Sequence, residues 1–428
     1  MLIDRPEYLK QLLAYKDMDL VKIVTGVRRA GKSTLLELYK TELLKMGIAE
    51  EQIQMIRLEE LENEPLHDYR KLHEHIKSKL IPGKKNYLFL DEIQVVDGFG
   101  KVVDSLFLKG VDVYLTGSNS KLLSKDLANQ IERQKITIHI YPLSFKEYIS
   151  AYPLVGVETK DAVFERYLRY GSFPKVLEII NSNTEITETE RELASGAQML
   201  NEYLFNDSMA NMQVRAYLTD IYEKILLHDI VENKKLSDVG RLKTVLRFMA
   251  DNIANITSIN GITKTMTRDG RETDNRAVEK YIDAFLDSFV LYKADRYDIK
   301  GKKLLKTMDK YYMVDMGLRY FLLGDKAEDS GRVLENIVYL ELLRRGYTVN
   351  IGKVGDKEVD FIARKDNVVE YYQVAQSLLD EKTAQREFSA FEGIKDNYPK
   401  FILTRDYADS NQNGIKRINV LKWLMGDG

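Results

Sequence analysis

"GVRRAGKST", residues 26–34, follows the apolar run VKIVT and opens KSTLLELYKTELLKMG, whose apolar residues recur at helical spacing until Gly47. It fits G-x-x-x-x-G-K-[ST] in the context that gives this pattern meaning, a strand before it and a helix after it. Glycines let the backbone curl so that successive N–H groups face one point, and the helix N-terminus adds a positive partial charge there. Phosphate is the chemistry such a cradle serves. Gly26, Arg29, Gly31, Lys32, Ser33 and Thr34 are therefore the expected nucleotide-binding positions. Lys32 would reach the β- and γ-phosphates and the Ser33 hydroxyl would ligate Mg²⁺.

A phosphate loop needs a second strand that ends in acids. NYLFLDEIQ (86–94) supplies it, with four of the five residues before Asp91 apolar, as in a parallel strand buried on both faces. Asp91 is the expected second Mg²⁺ partner. Glu92 is the expected base that orients and polarises attacking water, which makes Glu92 and Lys32 the expected catalytic pair. A third strand, in VYLTGSNS (113–120), ends on polar residues. Thr116, Ser118 and Asn119 all qualify to touch the γ-phosphate or the lytic water.

QMIRLEE, NYLFLDEI, VDVYLTGS and KITIHIYPL join VKIVT in a strand–helix alternation between residues 21 and 140. That alternation predicts an α/β unit with a parallel sheet and helices on both faces. At 428 residues the chain is too long for one core, and about 150 residues per domain gives roughly three. Composition is that of a soluble globular protein, 44% hydrophobic and 30% charged. The absence of Cys excludes disulfides and cysteine zinc sites, and none of the 5 His falls at metal-ligand spacing. No apolar run approaches the roughly 18 residues that span a bilayer, and MLIDRPEYLK has no signal-peptide core. The expectation is a cytoplasmic protein with no membrane partner. A net charge of −2 leaves any nucleic-acid binding to local basic patches.

From GVRRAGKSTLL, FLDEIQ, LTGSNSKLLS, YPLSFKEY and YLRYGSFPKV through RYDIKGKKLLKT, YYMVDMGLR, LENIVYLELLRRGY and EVDFIA, the chain resembles prokaryotic AAA-type ATPases. In that family the P-loop domain precedes a C-terminal domain of unknown function related to restriction-endonuclease-like folds. The resemblance implies ATP and Mg²⁺ as ligands and ATP hydrolysis as the activity. It fits a division into an AAA-type P-loop core (1–152), a helical lid (153–236), a winged-helix-like region with a basic hairpin (237–330) and a degenerate nuclease-like α/β domain (331–428). The family's nucleotide-sensing arginine follows a glycine. Here NQIERQKITIHI puts Glu132 in the glycine's place, leaving Arg133 as the sensor candidate and Arg28 and Arg29 as rivals.

In the middle region, Asn275 would cap RAVEKYIDAFLDSFV, and 291–315 reads as one strand pair turning at KGKK. Arg268, Arg271, Arg276 and Lys280 lie near the helix, while Lys300, Lys302, Lys303 and Lys306 crowd the hairpin. These are phosphate contacts in one reading and solubility lysines in the other. Beyond 331, Glu335 borders an apolar stripe of Leu334, Ile337, Val338 and Leu342. Asp360 and Gln373 lie on adjacent strands, so the three would converge on one metal as a degenerate nuclease site. Ala375 stands where a catalytic lysine is needed. A retained scaffold and a slow nuclease with a lysine from elsewhere both fit. The function expected is an Mg-dependent ATPase in a DNA-associated process. The alternatives are a nucleotide-dependent switch that binds a protein partner without DNA and an ATP-regulated nuclease; a homo-oligomer is among the partners expected.

Overall fold

The computed structural model describes residues 3–118, 134–152, 159–183, 208–225, 230–231, 238–268, 273–305, 308–324, 326 and 329–427. They divide into two compact units, 1–142 with 287–289, and 143–286 with 290–428.

In the first unit, α1 (Pro6–Ala14) leads into β1 (Val21–Thr25) and α2 (Lys32–Lys45). Then come β2 (Ile53–Arg57), α3 (Tyr69–Ser78), β3 (Tyr87–Asp91), α4 (Phe99–Phe107), β4 (Asp112–Gly117) and β5 (Lys135–His139). The strands form one parallel sheet in the order β2-β3-β4-β1-β5. Every residue of β1, β3 and β4 is buried, as parallel strands covered on both faces must be. Val24 pairs with Thr116 and Leu90 with Leu115, so the carboxyl ends of these strands lie side by side. One charge departs from the apolar reading of VKIVT. Lys22 is wholly buried and pairs with Asp112 at 2.5 Å. The other Asp112 oxygen accepts from the Tyr114 hydroxyl (2.9 Å) and the Asp17 N–H (3.0 Å), which compensates the desolvation.

The second unit begins with helices α5 (Phe145–Ser150), α6 (Lys160–Tyr170), α7 (Pro174–Ser182) and α8 (Ser208–Glu223). Next are α9 (Val239–Asp251), β6 (Ile256–Thr257), α10 (Ile259–Arg268), α11 (Asn275–Asp287) and β7 (Leu291–Ala294). Here the structure differs from the single strand pair expected at 291–315. Between β7 and its partner β10 (Asp309–Met313) lies an inner pair, β8 (Arg296–Asp298) and β9 (Lys303–Leu304). Its turn is set by the Asp298 carboxylate, which accepts the N–H groups of Lys300 (3.1 Å) and Gly301 (3.0 Å). The β6-β10-β7 sheet is closed at three strands, while the inner pair belongs elsewhere.

It belongs to the C-terminal sheet. After α12 (Met316–Leu323) and α13 (Ser330–Arg344) come β11 (Thr348–Val354), β12 (Lys357–Lys365), β13 (Val368–Val374), α14 (Glu381–Ser389) and β14 (Lys400–Thr404). Two further strands, β15 (Ser410–Gln412) and β16 (Ile415–Asn419), and a helix, α15 (Val420–Met425), were not foreseen, because each is only three to six residues long and too short to show a period. The sheet order is β15-β16-β14-β13-β12-β11-β8-β9, with β8 parallel to β11. Helix α13 was expected to bury one stripe, yet every residue from Leu334 to Leu342 is buried. The cause is packing on two sides. Asn336 bonds both the N–H and the C=O of Met313 on β10 (2.8 Å each), while the same helix packs on β11, β12 and β13. No helix among the described residues is long and apolar enough to cross a membrane.

YGSFP and DMGLR interlock in this unit. The Asp315 carboxylate accepts the Ser172 N–H (2.6 Å) and hydroxyl (2.7 Å) and the Leu318 N–H (2.9 Å). Gly171 has φ +88°, and a Cβ there would lie 2.3 Å from an Asp315 oxygen. Gly171→Ala is expected to cost about 1–3 kcal/mol, read as a lower melting temperature by scanning calorimetry, with nucleotide affinity unchanged.

Candidate functional site

The loop after β1 reverses direction through three residues of positive φ, Gly26 (149°), Arg29 (68°) and Gly31 (99°). Gly26 is obligatory, since a Cβ would meet the Ile140 carbonyl oxygen at 2.2 Å. Lys32, only 4% exposed, folds back over the loop. Its ammonium donates to the carbonyls of Gly26 (3.2 Å) and Val27 (3.3 Å) and lies 3.3 Å from a Glu92 oxygen. The half-buried Ser33 hydroxyl has no hydrogen-bond partner among the described residues. Arg29 is exposed, Thr34 is half-buried, and Arg28 pairs with Glu59 at 2.7 Å.

Asp91 and Glu92 arrive at the end of β3, beside the loop. The Thr116 hydroxyl, wholly buried, sits behind both acids: it donates to the Asp91 carboxylate and accepts the Glu92 N–H at 2.8 Å. Thr116 therefore orients the acids rather than facing a ligand. Glu92 adopts left-handed φ (54°), and its carboxylate accepts the Ser118 N–H (3.1 Å) and the Gln94 side-chain amide. Burial alone would push this carboxyl up. The Lys32 charge and the hydrogen bonds from Gln94 and Ser118 outweigh it and hold Glu92 below the usual carboxylate range. Asn119 and Arg133, the other sensor candidates, lie outside the described residues, as do Arg271 and Lys306.

Two contributors carried no local signal. Arg5, 5% exposed, donates to the carbonyls of Ala30 (3.2 Å) and Tyr141 (2.8 Å), bracing the loop from the N-terminus. His139 lies 3.0 Å from the Thr25 hydroxyl. Burial, aided by the Lys32 charge, pushes its imidazole down to about 3, so it stays neutral beside the lysine. Only Gln94 was visible beforehand, as the last letter of FLDEIQ.

Comparison with known proteins agrees with this geometry. Residues 19–149 match the model of an AAA domain, and residues 203–329 match a domain of unknown function (DUF8612). An uncharacterised protein of Haemophilus influenzae is 37% identical over 99% of both chains. The chain belongs to the same family as that protein, and the AAA domain match places its phosphate loop and acid-ended strand within residues 19–149. An uncharacterised protein of Methanocaldococcus jannaschii is also similar, 27% identical over 94% of this chain and 84% of its own. Among solved structures, the Walker-type ATPase of Pyrococcus abyssi superposes with a TM-score of 0.50 over 75% of this chain and 95% of its own. At 14% identity that likeness is one of fold.

Beyond the loop, this family member has a second cluster of charge, in the C-terminal part of the second unit. The half-buried Asp360 and buried Gln373 meet, the Asp360 N–H donating to the Gln373 side-chain oxygen at 2.6 Å. Asp360 accepts the Val374 N–H (2.8 Å), and the Gln373 amide donates to Glu387 (2.7 Å). Glu335 accepts the Tyr312 hydroxyl at 2.8 Å. A lysine does reach the cluster, from β10 rather than β13. Lys310, 4% exposed, lies 2.9 Å from Glu335 and 2.8 Å from Glu358. The three expected residues are thus committed to Lys310, to Glu387 and to each other. Among the described residues no three acids or histidines are arranged to hold a metal ion. Ala375, where a lysine was sought, is a core residue.

Burial and the Glu335 charge push Asp360 well above the usual carboxylate range, with Lys310 pulling the other way. The folded chain then holds a proton that the unfolded chain has released. Stability falls as pH rises from the ordinary carboxylate value through the raised one. Asp360→Asn is expected to flatten the decline in melting temperature as pH rises above the ordinary carboxylate range. Lys310→Met strands Glu335 and Glu358 without a counter-charge. It is expected to cost about 3–5 kcal/mol of second-unit stability in urea melts.

Proposed function

We propose that this chain binds ATP with Mg²⁺ and hydrolyses it, in a DNA-associated process. The observation that supports this most is the placement of Lys32. Its ammonium is held at the mouth of the loop by two carbonyls, with Glu92 as its carboxylate partner. A triphosphate in the cradle carries more negative charge than one carboxylate and would take over the ammonium. Glu92 would then be released to orient and polarise the attacking water, while Thr116 keeps its backbone in place. The uncommitted Ser33 hydroxyl and the Asp91 carboxylate suit a hard cation. Mg²⁺ held there would neutralise charge on the transferring phosphoryl oxygens. Gly26, Arg29, Gly31 and Thr34 complete the binding loop, and Ser118, Asn119 and Arg133 remain the sensor assignments.

For the second unit, the four-part division of the chain is our reading. The run α9-β6-α10-α11-β7-β10, with β6 and β7 flanking β10, has the order of a winged helix. Arg276 and Lys280 stand exposed one turn apart on α11, where phosphate contacts would be made. The run α13-β11-β12-β13-α14-β14 suits a nuclease-derived scaffold. With Lys310 paired to its carboxylates, we assign it a docking role rather than cleavage.

Lys32→Ala is expected to abolish ATP binding measured by calorimetry, and unchanged affinity would refute the loop assignment. Glu92→Gln should bind ATP yet turn over at least about a hundredfold more slowly. Duplex DNA should bind more weakly as salt rises and with Arg276→Ala/Lys280→Ala. No duplex binding at low salt would favour the protein-partner switch instead.

A further inference from the structure

We propose that the second unit carries a groove for single-stranded nucleic acid, built from the β8–β9 turn and the C-terminal sheet. The inference deepens the DNA-associated reading and rests on it for the class of partner only. A cavity of about 780 Å³ lies between the turn, β12, β13 and the loop after α14. Four cations line it, Lys300, Lys302, Arg364 and Lys395, against one carboxylate, Asp396. Asp396 is already engaged by the Tyr371 hydroxyl at 2.8 Å. Lys300, Lys302 and Lys395 are exposed, and none of them has an ion-pair partner among the described residues.

The turn that carries Lys300 and Lys302 is held in place. The Asp298 carboxylate fixes the turn through two N–H groups, and the Ile299 N–H donates to the Lys353 carbonyl at 3.0 Å, tying the turn to β11. The Lys300 side chain crosses Gly393, where an added Cβ would meet its Cε and Nζ at 3.6 Å. Arg364 is held over the Tyr297 ring, 4.2 Å from its centroid. Arg364 and Lys300 are thus held against the groove wall, with the exposed Lys302 and Lys395 adding charge beside them.

Aromatic groups decide between partners. Tyr297, Tyr371 and Tyr398 share the cavity, and Tyr398 is 44% exposed. A ring face beside a line of cations suits an unpaired base next to its phosphate, because only a single strand presents base faces for stacking. A duplex hides those faces, and an acidic peptide has none.

The test uses the full chain, a labelled oligo-dT of about 20 nucleotides and a duplex of equal length, read by fluorescence anisotropy. Three phosphate contacts predict that oligomer binding weakens about tenfold to twentyfold from about 50 to about 200 mM salt. Lys300→Glu/Lys302→Glu/Lys395→Glu should abolish it, and Tyr398→Ala should weaken it about tenfold. Both variants should keep the wild-type melting temperature, since the changed side chains are exposed, and should keep duplex binding through α11. Wild-type oligomer affinity in the triple variant would overturn the proposal, as would equal binding of polyglutamate, which would mark an acidic-peptide site. Loss of duplex binding alone in Arg276→Ala/Lys280→Ala, with oligomer binding intact, would support the groove as separate from α11. Loss of oligomer binding in that same variant would overturn it.

Discussion

A buried ammonium must have compensating charge and hydrogen bonds, and the arrangement at the end of the first unit's sheet follows from that requirement. Lys32 is too enclosed to be hydrated, so it takes two loop carbonyls and the Glu92 carboxylate. That choice sets the rest. Glu92 reaches it from a left-handed turn at the end of β3. The turn is stabilised by the Thr116 hydroxyl on β4 and the Ser118 N–H just after it. The adjacency of β1, β3 and β4 is what brings these groups within reach, so sheet order and site geometry are one constraint.

The two units use lysine–carboxylate pairs in opposite ways. At the loop, the pair is a single contact of 3.3 Å, and the displacement of its acid by a triphosphate is part of the function we propose. In the second unit, Lys310 has two carboxylates at 2.9 and 2.8 Å, with the Tyr312 ring stacked on Tyr339 beside it. The first pair has one carboxylate and the second has two. The sequence placed Glu335, Asp360 and Gln373 together, but the charge balance there depends on a residue 25 positions from Glu335 whose neighbours gave no hint of an acid partner.

The loop, the acid-ended strand and the parallel alternation were legible because glycine spacing and continuous apolar runs are local signals. Arg5, His139 and the orienting part played by Thr116 were not, because each acts across the fold on a group far along the chain. Lys22 was hidden for the same reason: its partner Asp112 is 90 residues away on a neighbouring strand. Basic residues around KGKK were visible as a cluster, but their geometry was misread. Two nested pairs and a single pair share the same turn residues, and only pairing with β11 separates them.

That pairing ties together the fates of two modules. Strand β8 is encoded before α12 and α13, yet it caps the edge of a sheet whose other main strands come after them. A fragment beginning near residue 330 would present β11 with an open row of backbone donors and acceptors, the edge that drives sheets to pair with foreign chains. The C-terminal part is therefore not a cassette that evolution or an engineer can move alone. It travels with the hairpin that closes it.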